Sequence, residues 1–260
     1  MPEGPELLYL SIKLKNELKN AILENIVSNT KSIVKIPKKS KVLNVYSYGK
    51  NLIIDCKDYK LLVHLGITGW LVNTQPKIYK YIFEFNNQKI YLKDQRRFSK
   101  IVLFTSQENL DDYLTKYGVD ILTKDFTLDY FNNIIKSKKK LLCSILLDQK
   151  YFAGLGNYIK NDALYLSKIN PNKKTNDLDE NEIKELYNNI KFIAYSNIFT
   201  WLKENKLKVP QYIKKLSPNK LNVPYTFKVY EQEYDAHGNK VIFIKNHCGR
   251  RTFYVPKLQK

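Results

Sequence analysis

The chain opens Met1-Pro2-Glu3-Gly4-Pro5-Glu6, and this start holds the residues best suited to covalent chemistry. With Met1 removed, Pro2 becomes a terminal secondary amine, and α-amino groups have a reference pKa of about 7.7–8.0, far below a lysine's. A useful fraction is then an unprotonated nucleophile near neutral pH. Such an amine can attack an electrophilic sugar carbon and lose water to give an iminium, provided a neighbouring acid/base manages the protons, and Glu3 stands next in line. The same residues also suit a plainer role. Pro2 and Pro5 make a stiff lead-in to a helix beginning near Glu6, with acids favoured at its positive end.

Two other places carry polar chemistry. Basic residues are overwhelmingly lysines, and arginine occurs only as two doublets, Arg96-Arg97 and Arg250-Arg251. A guanidinium fork can hold phosphate in two directions or fill the space beside a base, which an ammonium cannot do; a lysine-biased composition would leave the same doublets by chance. The run Leu146-Leu147-Asp148-Gln149, then Ala153-Gly154-Leu155-Gly156-Asn157, then Asp162-Ala163-Leu164 puts a glycine-bearing turn between two helices, the second capped by Asn157. Backbone N–H groups pointing out of such a turn grip phosphate. An ordinary helical hairpin would share the outline without needing the glycines.

The elements that must position these groups follow from periodicity. Glu6 to Lys19 sets Leu7, Leu8, Leu10, Ile12, Leu14 and Leu18 among polar residues, an amphipathic helix. Short β-rich runs follow at 33–36, 42–46, 52–55, 61–65, 81–85, 90–92 and 101–104, which predict a sandwich or flattened barrel. After about residue 120 the pattern turns helical, at 126–137, 140–148, 158–167 and 180–202. A connection at 203–224 bearing lysine and proline leads to strands at 226–230, 241–244 and 252–255. The expected fold is α+β, with a β-sandwich and leading helix over 1–120, a helical domain over 121–224 and a final hairpin over 225–260.

Composition points to the partner. A net charge of +19 on 260 residues attracts a polyanion, with nucleic acid first among candidates. Aromatic residues at 13% give ample material for a packed core, which excludes a disordered basic tail. Cys56, Cys143 and Cys248 are scattered and odd in number, so neither a disulfide framework nor a C-x-x-C ligand pair is expected. No secretory leader and no apolar run of about 18 residues is evident. A soluble intracellular protein, without membrane association, is expected.

Taken in order, the motifs resemble those of the formamidopyrimidine-DNA glycosylase and endonuclease VIII family of base-excision repair enzymes. Pro2-Glu3-Gly4-Pro5-Glu6 looks like the endonuclease VIII form of the start, and Gly49-Lys50-Asn51-Leu52 is similar to the family's lysine turn. His64-Leu65-Gly66-Ile67-Thr68-Gly69, Asp94-Gln95-Arg96-Arg97-Phe98 and Gly249-Arg250-Arg251-Thr252-Phe253-Tyr254 match further family segments, and the glycine turn is similar to its helix-two-turn-helix element. The resemblance runs the length of the chain.

It implies a bifunctional DNA glycosylase and abasic-site lyase that removes oxidised pyrimidines and nicks by β,δ-elimination through a Schiff base on Pro2. Glu3 would move protons, with Glu6 a second carboxylate nearby. Lys50, His64, Asn157 and Arg250 would hold phosphates around the lesion, so affinity should fall steeply with salt. Ile67, Arg96 and Phe98 would fill the gap left by a flipped base. His64 also has a plain reading as a satisfied strand histidine, and the three wedge residues as a strand end. Damaged DNA, double- or single-stranded, is the expected partner of a monomer that needs no cofactor. A non-catalytic damaged-DNA-binding protein using the same phosphate-gripping turn is the alternative.

The main departure is in the hairpin. Relatives often hold it with four cysteines around zinc, whereas here Val255 and Leu258 stand in place of the last pair and the first half has no cysteine. A zincless finger held by packing is expected. His237, His247 and Cys248 are poorly spaced for tetrahedral chelation, so no metal is expected. Asp162 for a usual glutamate, and Val119 for a common proline, bear on local geometry only.

Overall fold

The computed structural model describes residues 2–31, 33–218, 221 and 224–260. Met1 and part of the connection expected over 203–224 lie outside the described residues. The chain divides into two compact units, 1–116 and 117–260.

The first unit begins with helix α1 (Gly4–Glu17), followed by β1 (Ile22–Ser28), β2 (Ser40–Tyr48), β3 (Asn51–Cys56), β4 (Lys60–His64), β5 (Trp70–Val72), β6 (Tyr81–Phe85), β7 (Lys89–Lys93), β8 (Lys100–Phe104) and helix α2 (Gln107–Leu114). The strands run β5-β7-β6-β1-β2-β3-β4-β8, each pair antiparallel. Only Ile22↔Lys41 and Leu23↔Ser40 join β1 to β2. The sheet therefore folds there into the two leaves of a sandwich. Helix α1 is buried through its first turns, from Gly4 to Ser11, so it starts two residues before the expected Glu6. Tyr9 stacks on Trp70 of β5 with ring centroids 6.3 Å apart.

The second unit contains β9 (Val119–Asp120), α3 (Leu128–Lys136), α4 (Leu142–Leu147), β10 (Phe152–Ala153), α5 (Asn157–Leu166), α6 (Glu180–Glu204), α7 (Gln211–Leu216), β11 (Ile242–His247) and β12 (Arg250–Tyr254). Strands β11 and β12 form an antiparallel hairpin, and β9 pairs in parallel with β10. Asp179 caps α6 by accepting from the Glu182 N–H at 2.8 Å, the side-chain cap that fixes its start where sequence placed it.

Three expectations are corrected. Residues 33–36 form no strand; the strand is β1, whose polar Glu24 and Asn25 and bulge between Leu23 and Asn25 break the alternation that would have marked it. Residues 226–230 form no strand either, because the backbone N–H groups of Lys228, Val229 and Tyr230 donate to the Asp162 carboxylate rather than to a neighbouring strand. Finally, Cys143 and Cys248, expected to stay unpaired, form a disulfide across 105 residues, with Cα atoms 6.1 Å apart. Separation along the chain says nothing about distance in the fold.

Candidate active site

The carboxylates of the N-terminus are built into the start of α1. Glu3 is the N-cap and only 2% exposed. Its backbone N–H donates to Glu6 Oε2 at 2.9 Å, one arm of a capping box. Glu6 thus serves first as an anchor. It fixes the backbone beside Pro2, which is half-buried.

A row of basic groups lies at one end of the second leaf. Lys50 occupies the tight turn between β2 and β3, and the register Asn51↔His64↔Lys100 sets His64 and Lys100 on neighbouring strands beside it. His64 Nδ1 accepts the Gly66 N–H at 3.1 Å, so in the neutral ring Nε2 carries the proton. Burial first, then Lys50, Lys100 and Lys116, pushes the imidazole below its usual value. At pH 7 His64 is a neutral donor, suited to a phosphate oxygen that the lysines already attract.

The loops after β4 and after β7 are tied into one body. Thr68 Oγ1 donates to Asp94 Oδ1 at 2.7 Å and accepts the Arg96 N–H at 3.2 Å, while Ser99 N–H donates to Asp94 Oδ2 at 2.7 Å. The buried amine of Lys80 donates to the carbonyls of Arg97 and Ser99 at 2.9 and 2.6 Å. On this base Phe98 is 49% exposed, with the Arg96 guanidinium 4.8 Å from its ring centre, and Ile67 is half-buried nearby in sequence on the partner loop. A large apolar ring held outward on a rigid loop is the shape of a wedge. Nothing in the pattern around Lys80 marked it as a support, because a lysine just before a strand is ordinarily a surface residue, and Thr68 stood in a quoted segment without a role of its own.

Two predictions arise here. Gly66 has φ +69°, and an added Cβ would lie 2.8 Å from the Phe98 carbonyl carbon and 3.0 Å from the Ser99 nitrogen. Gly66→Ala should cost about 1–3 kcal/mol in urea unfolding, because the loop that carries Phe98 must shift. The second concerns Asp94. Burial alone would push its carboxyl up, but the donors from Thr68, Ser99 and Arg96 outweigh it and hold it below the usual range. A lowered folded value means stabilisation that is complete above the unfolded value of about 3.9 and is lost as pH falls through the folded one. Acid titration followed by urea midpoints should show that loss in the wild type and a smaller one in Asp94→Asn.

In the second unit the glycine turn is closed by one side chain. Gln149 Nε2 donates to the carbonyls of Leu147 and Leu155 at 3.0 and 2.8 Å, and its Oε1 accepts the Gly154 N–H at 3.1 Å. Gly156, rather than Asn157, is the N-cap of α5. The Asn157 amide is drawn instead to the hairpin, donating to the Arg251 carbonyl at 3.0 Å.

That contact is one of four from successive parts of α5. Lys160 Nζ donates to Thr252 Oγ1 at 2.7 Å, Asn161 Oδ1 accepts the Phe253 N–H at 3.2 Å, and Asp162 accepts the N–H groups of Lys228, Val229 and Tyr230 and the Tyr225 hydroxyl at 2.6–3.0 Å. Val255 packs in one buried cluster with Val229, Val241, Phe253 and Tyr165, and Leu258 lies against it. The four-cysteine zinc cradle of related hairpins does not fit this chain, since two of its places are apolar core. The two arginines at the turn differ in setting: Arg251 lies over Phe243 and Phe253 with Glu231 3.6 Å away, while Arg250 is exposed.

Comparison with known proteins agrees with this architecture. The profile of the formamidopyrimidine-DNA glycosylase N-terminal domain matches residues 1–101, and that of the formamidopyrimidine-DNA glycosylase H2TH domain matches residues 117–200. The formamidopyrimidine-DNA glycosylase of Rickettsia africae is 30% identical over 282 residues, covering 100% of this chain and 99% of the relative. The chain belongs to the formamidopyrimidine-DNA glycosylase family. Solved structures share its fold: MutM (Fpg) from Thermus thermophilus has a TM-score of 0.83 at 21% identity, covering 99% of this chain and 98% of that one. Wild-type Lactococcus lactis Fpg, solved in complex with DNA containing an oxidised pyrimidine, has a TM-score of 0.82 at 24% identity, with 100% of both chains covered. Within a family of base-excision repair glycosylases, the helix-two-turn-helix domain and the β11–β12 hairpin belong to the second unit. Among the described residues no helix is long and apolar enough to cross a membrane.

Proposed function

We propose that this chain is a bifunctional DNA glycosylase and abasic-site lyase that acts on oxidised pyrimidines and abasic sites through the nitrogen of Pro2. The observation that carries the reading is Glu3, an acid 2% exposed at the N-cap of α1, immediately after Pro2 and fixed through its own N–H to Glu6. The terminus is thereby held in place, which a nucleophile needs if it is to meet one carbon repeatedly.

Pro2 nitrogen, unprotonated once Met1 is gone, attacks C1′ of a flipped nucleotide; the glycosidic bond breaks and the base leaves with a proton. Glu3 protonates the ring oxygen, the ring opens, and nitrogen becomes an iminium at C1′. The iminium acidifies the C2′ proton, whose loss expels the 3′ phosphate, and a second elimination expels the 5′ phosphate. Water then releases the sugar fragment and regenerates the amine. Ile67, Arg96 and Phe98 fill the vacated stack, and Lys50, His64, Asn157 and Arg250 hold phosphates, the chain acting as a monomer.

Borohydride reduction in the presence of abasic DNA tests this. A covalent protein–DNA complex is expected, with the cross-linked peptide mapping to Pro2, and it should vanish when an uncleaved N-terminal extension turns that nitrogen into an amide. No adduct would leave a damage-binding protein, and an adduct that survives the extension would move the nucleophile to a lysine. The names of the relatives favour a second lesion class, formamidopyrimidines. Excision rates on duplexes carrying each lesion decide between them, with the pyrimidine lesion expected to be the faster.

A further inference from the structure

The turn of the β11–β12 hairpin holds a chemical group that the reaction does not use. His247 and Arg250 pair across two central residues, Cys248 and Gly249, with φ of 55° and 71°. Two positive φ values in a two-residue hairpin are the type I′ pattern, which favours Asn, Asp or Gly at the first position. A cysteine there costs about 1–2 kcal/mol in left-handed backbone, so a relaxed turn does not explain the choice. Its sulfur faces α4 of the helical unit, where Cys143 is fully buried. A ring nitrogen of His247 completes a group of three ligand atoms that all lie within 4.8 Å of one another. The two sulfurs are bonded to each other here; once reduced, two thiolates bound to zinc at 2.3 Å in tetrahedral geometry would stand about 3.8 Å apart, so the pair has to part while the His247 nitrogen is already within reach. His247 Nε2 lies 2.9 Å from the Pro171 carbonyl oxygen. A carbonyl can only accept, so Nε2 carries the proton and Nδ1 keeps the lone pair, the backbone support that metal-bound imidazoles ordinarily have.

We propose that Cys143, His247 and Cys248 form a thiol-gated metal site, which takes a soft d10 divalent cation of the zinc class when reduced and closes as the Cys143–Cys248 disulfide when oxidised. On binding, the two thiols lose their protons and the cation gains two sulfurs and one nitrogen, leaving a fourth position for water. On oxidation by hydrogen peroxide the two thiols give up two protons and two electrons, the S–S bond forms, and the peroxide becomes two waters. The site is at the turn, at the far end of β12 from Val255 and Leu258, and so is distinct from a cradle at the hairpin's base. Both closed states pin the segment two residues from Arg250 to α4. Hairpin placement thereby responds to thiol oxidation and to metal supply.

The full chain, reduced with a phosphine and stripped with a chelator, should be titrated with Cd2+ as the probe. A thiolate-to-cadmium charge-transfer band is expected that saturates at one cadmium per chain. Cys143→Ser and Cys248→Ser should each abolish saturation at that ratio, and His247→Ala should weaken it by more than about tenfold. Cys56→Ser should leave it unchanged, because burial and then Asp55 push that thiol up to about 12. Peroxide before the titration should remove the band and leave one of the three thiols reactive after unfolding. Cys248→Ser, on the half-exposed turn, reads the site even if the buried Cys143→Ser misfolds. No band, a band that survives Cys248→Ser, or three reactive thiols after peroxide would each overturn the proposal.

Discussion

Glu3→Gln is expected to slow excision of a damaged base by about 10²–10⁴-fold, the range a positioned acid/base contributes, or about 3–5 kcal/mol of barrier. The substitution keeps the size of a side chain only 2% exposed. It also leaves intact the bond from the Glu3 backbone N–H to Glu6, and the Gln amide oxygen can still accept the Glu6 N–H that the Glu3 carboxyl accepts in the other arm of the capping box. The loss should therefore be chemical and not structural. Nicking of a preformed abasic site should fall less, because an abasic sugar opens to the aldehyde unaided and the carboxyl is left with only the later proton transfers. Single-turnover rates on base-containing and abasic duplexes measure the split, and equal, unchanged rates on both would remove Glu3 from the chemistry. Glu6 supplies the contrast. Glu6→Gln can still accept the Glu3 N–H and should be mild, whereas Glu6→Ala loses the anchor at about 1 kcal/mol of stability and lets the terminus fray.

What was legible in the sequence were features whose signal is local. Strands β3 and β4 show because runs such as Leu52-Ile53-Ile54 are buried on both faces, and α6 shows because its cap and apolar stripe coincide. The glycine turn shows because few other arrangements need Gly154 and Gly156 so close. Strand β5, three residues long, and α2, with one buried residue, Leu110, left no comparable trace. The site residues divide in the same way. Glu3, His64 and Arg250 sit in short motifs, and their types alone suggest chemistry. Their supports do not: Lys80 under the wedge loop and Lys160 under the hairpin act through partners 17–19 and 92 residues away. The Cys143–Cys248 disulfide is hidden for the same reason. Cysteine spacing carries information only when the partners share a motif, and these share only a place in the fold.

Asp162 shows how much such a hidden support can carry, and Asp162→Ala is expected to be the most destabilising of these substitutions in the second unit. The carboxylate is fully buried and accepts three backbone N–H groups and the Tyr225 hydroxyl. Removing it strands four donors, each costing about 1–3 kcal/mol if water cannot reach it. Residues 225–230 can partly open to solvent, so a total of about 3–5 kcal/mol is expected rather than the sum, or a Tm lower by about 10 °C. The damage should be local in a way that hydrogen exchange can read. The amides of Val229 and Tyr230 should lose protection, while that of Phe253, held by Asn161 at 3.2 Å, keeps most of its own. Equal loss at all three would mean that the hairpin and its approach open as one unit. A zinc cradle would fasten the hairpin at its base through bonds that no single side chain controls. Here the same task falls to consecutive residues of α5, and that helix begins at the glycine turn proposed to grip phosphate. Loss of the Asp162 carboxylate should thus loosen the segment leading into the Arg250 hairpin first and the phosphate turn hardly at all, visible as weakened retention of abasic DNA with an unchanged exchange rate at the Gly154 amide.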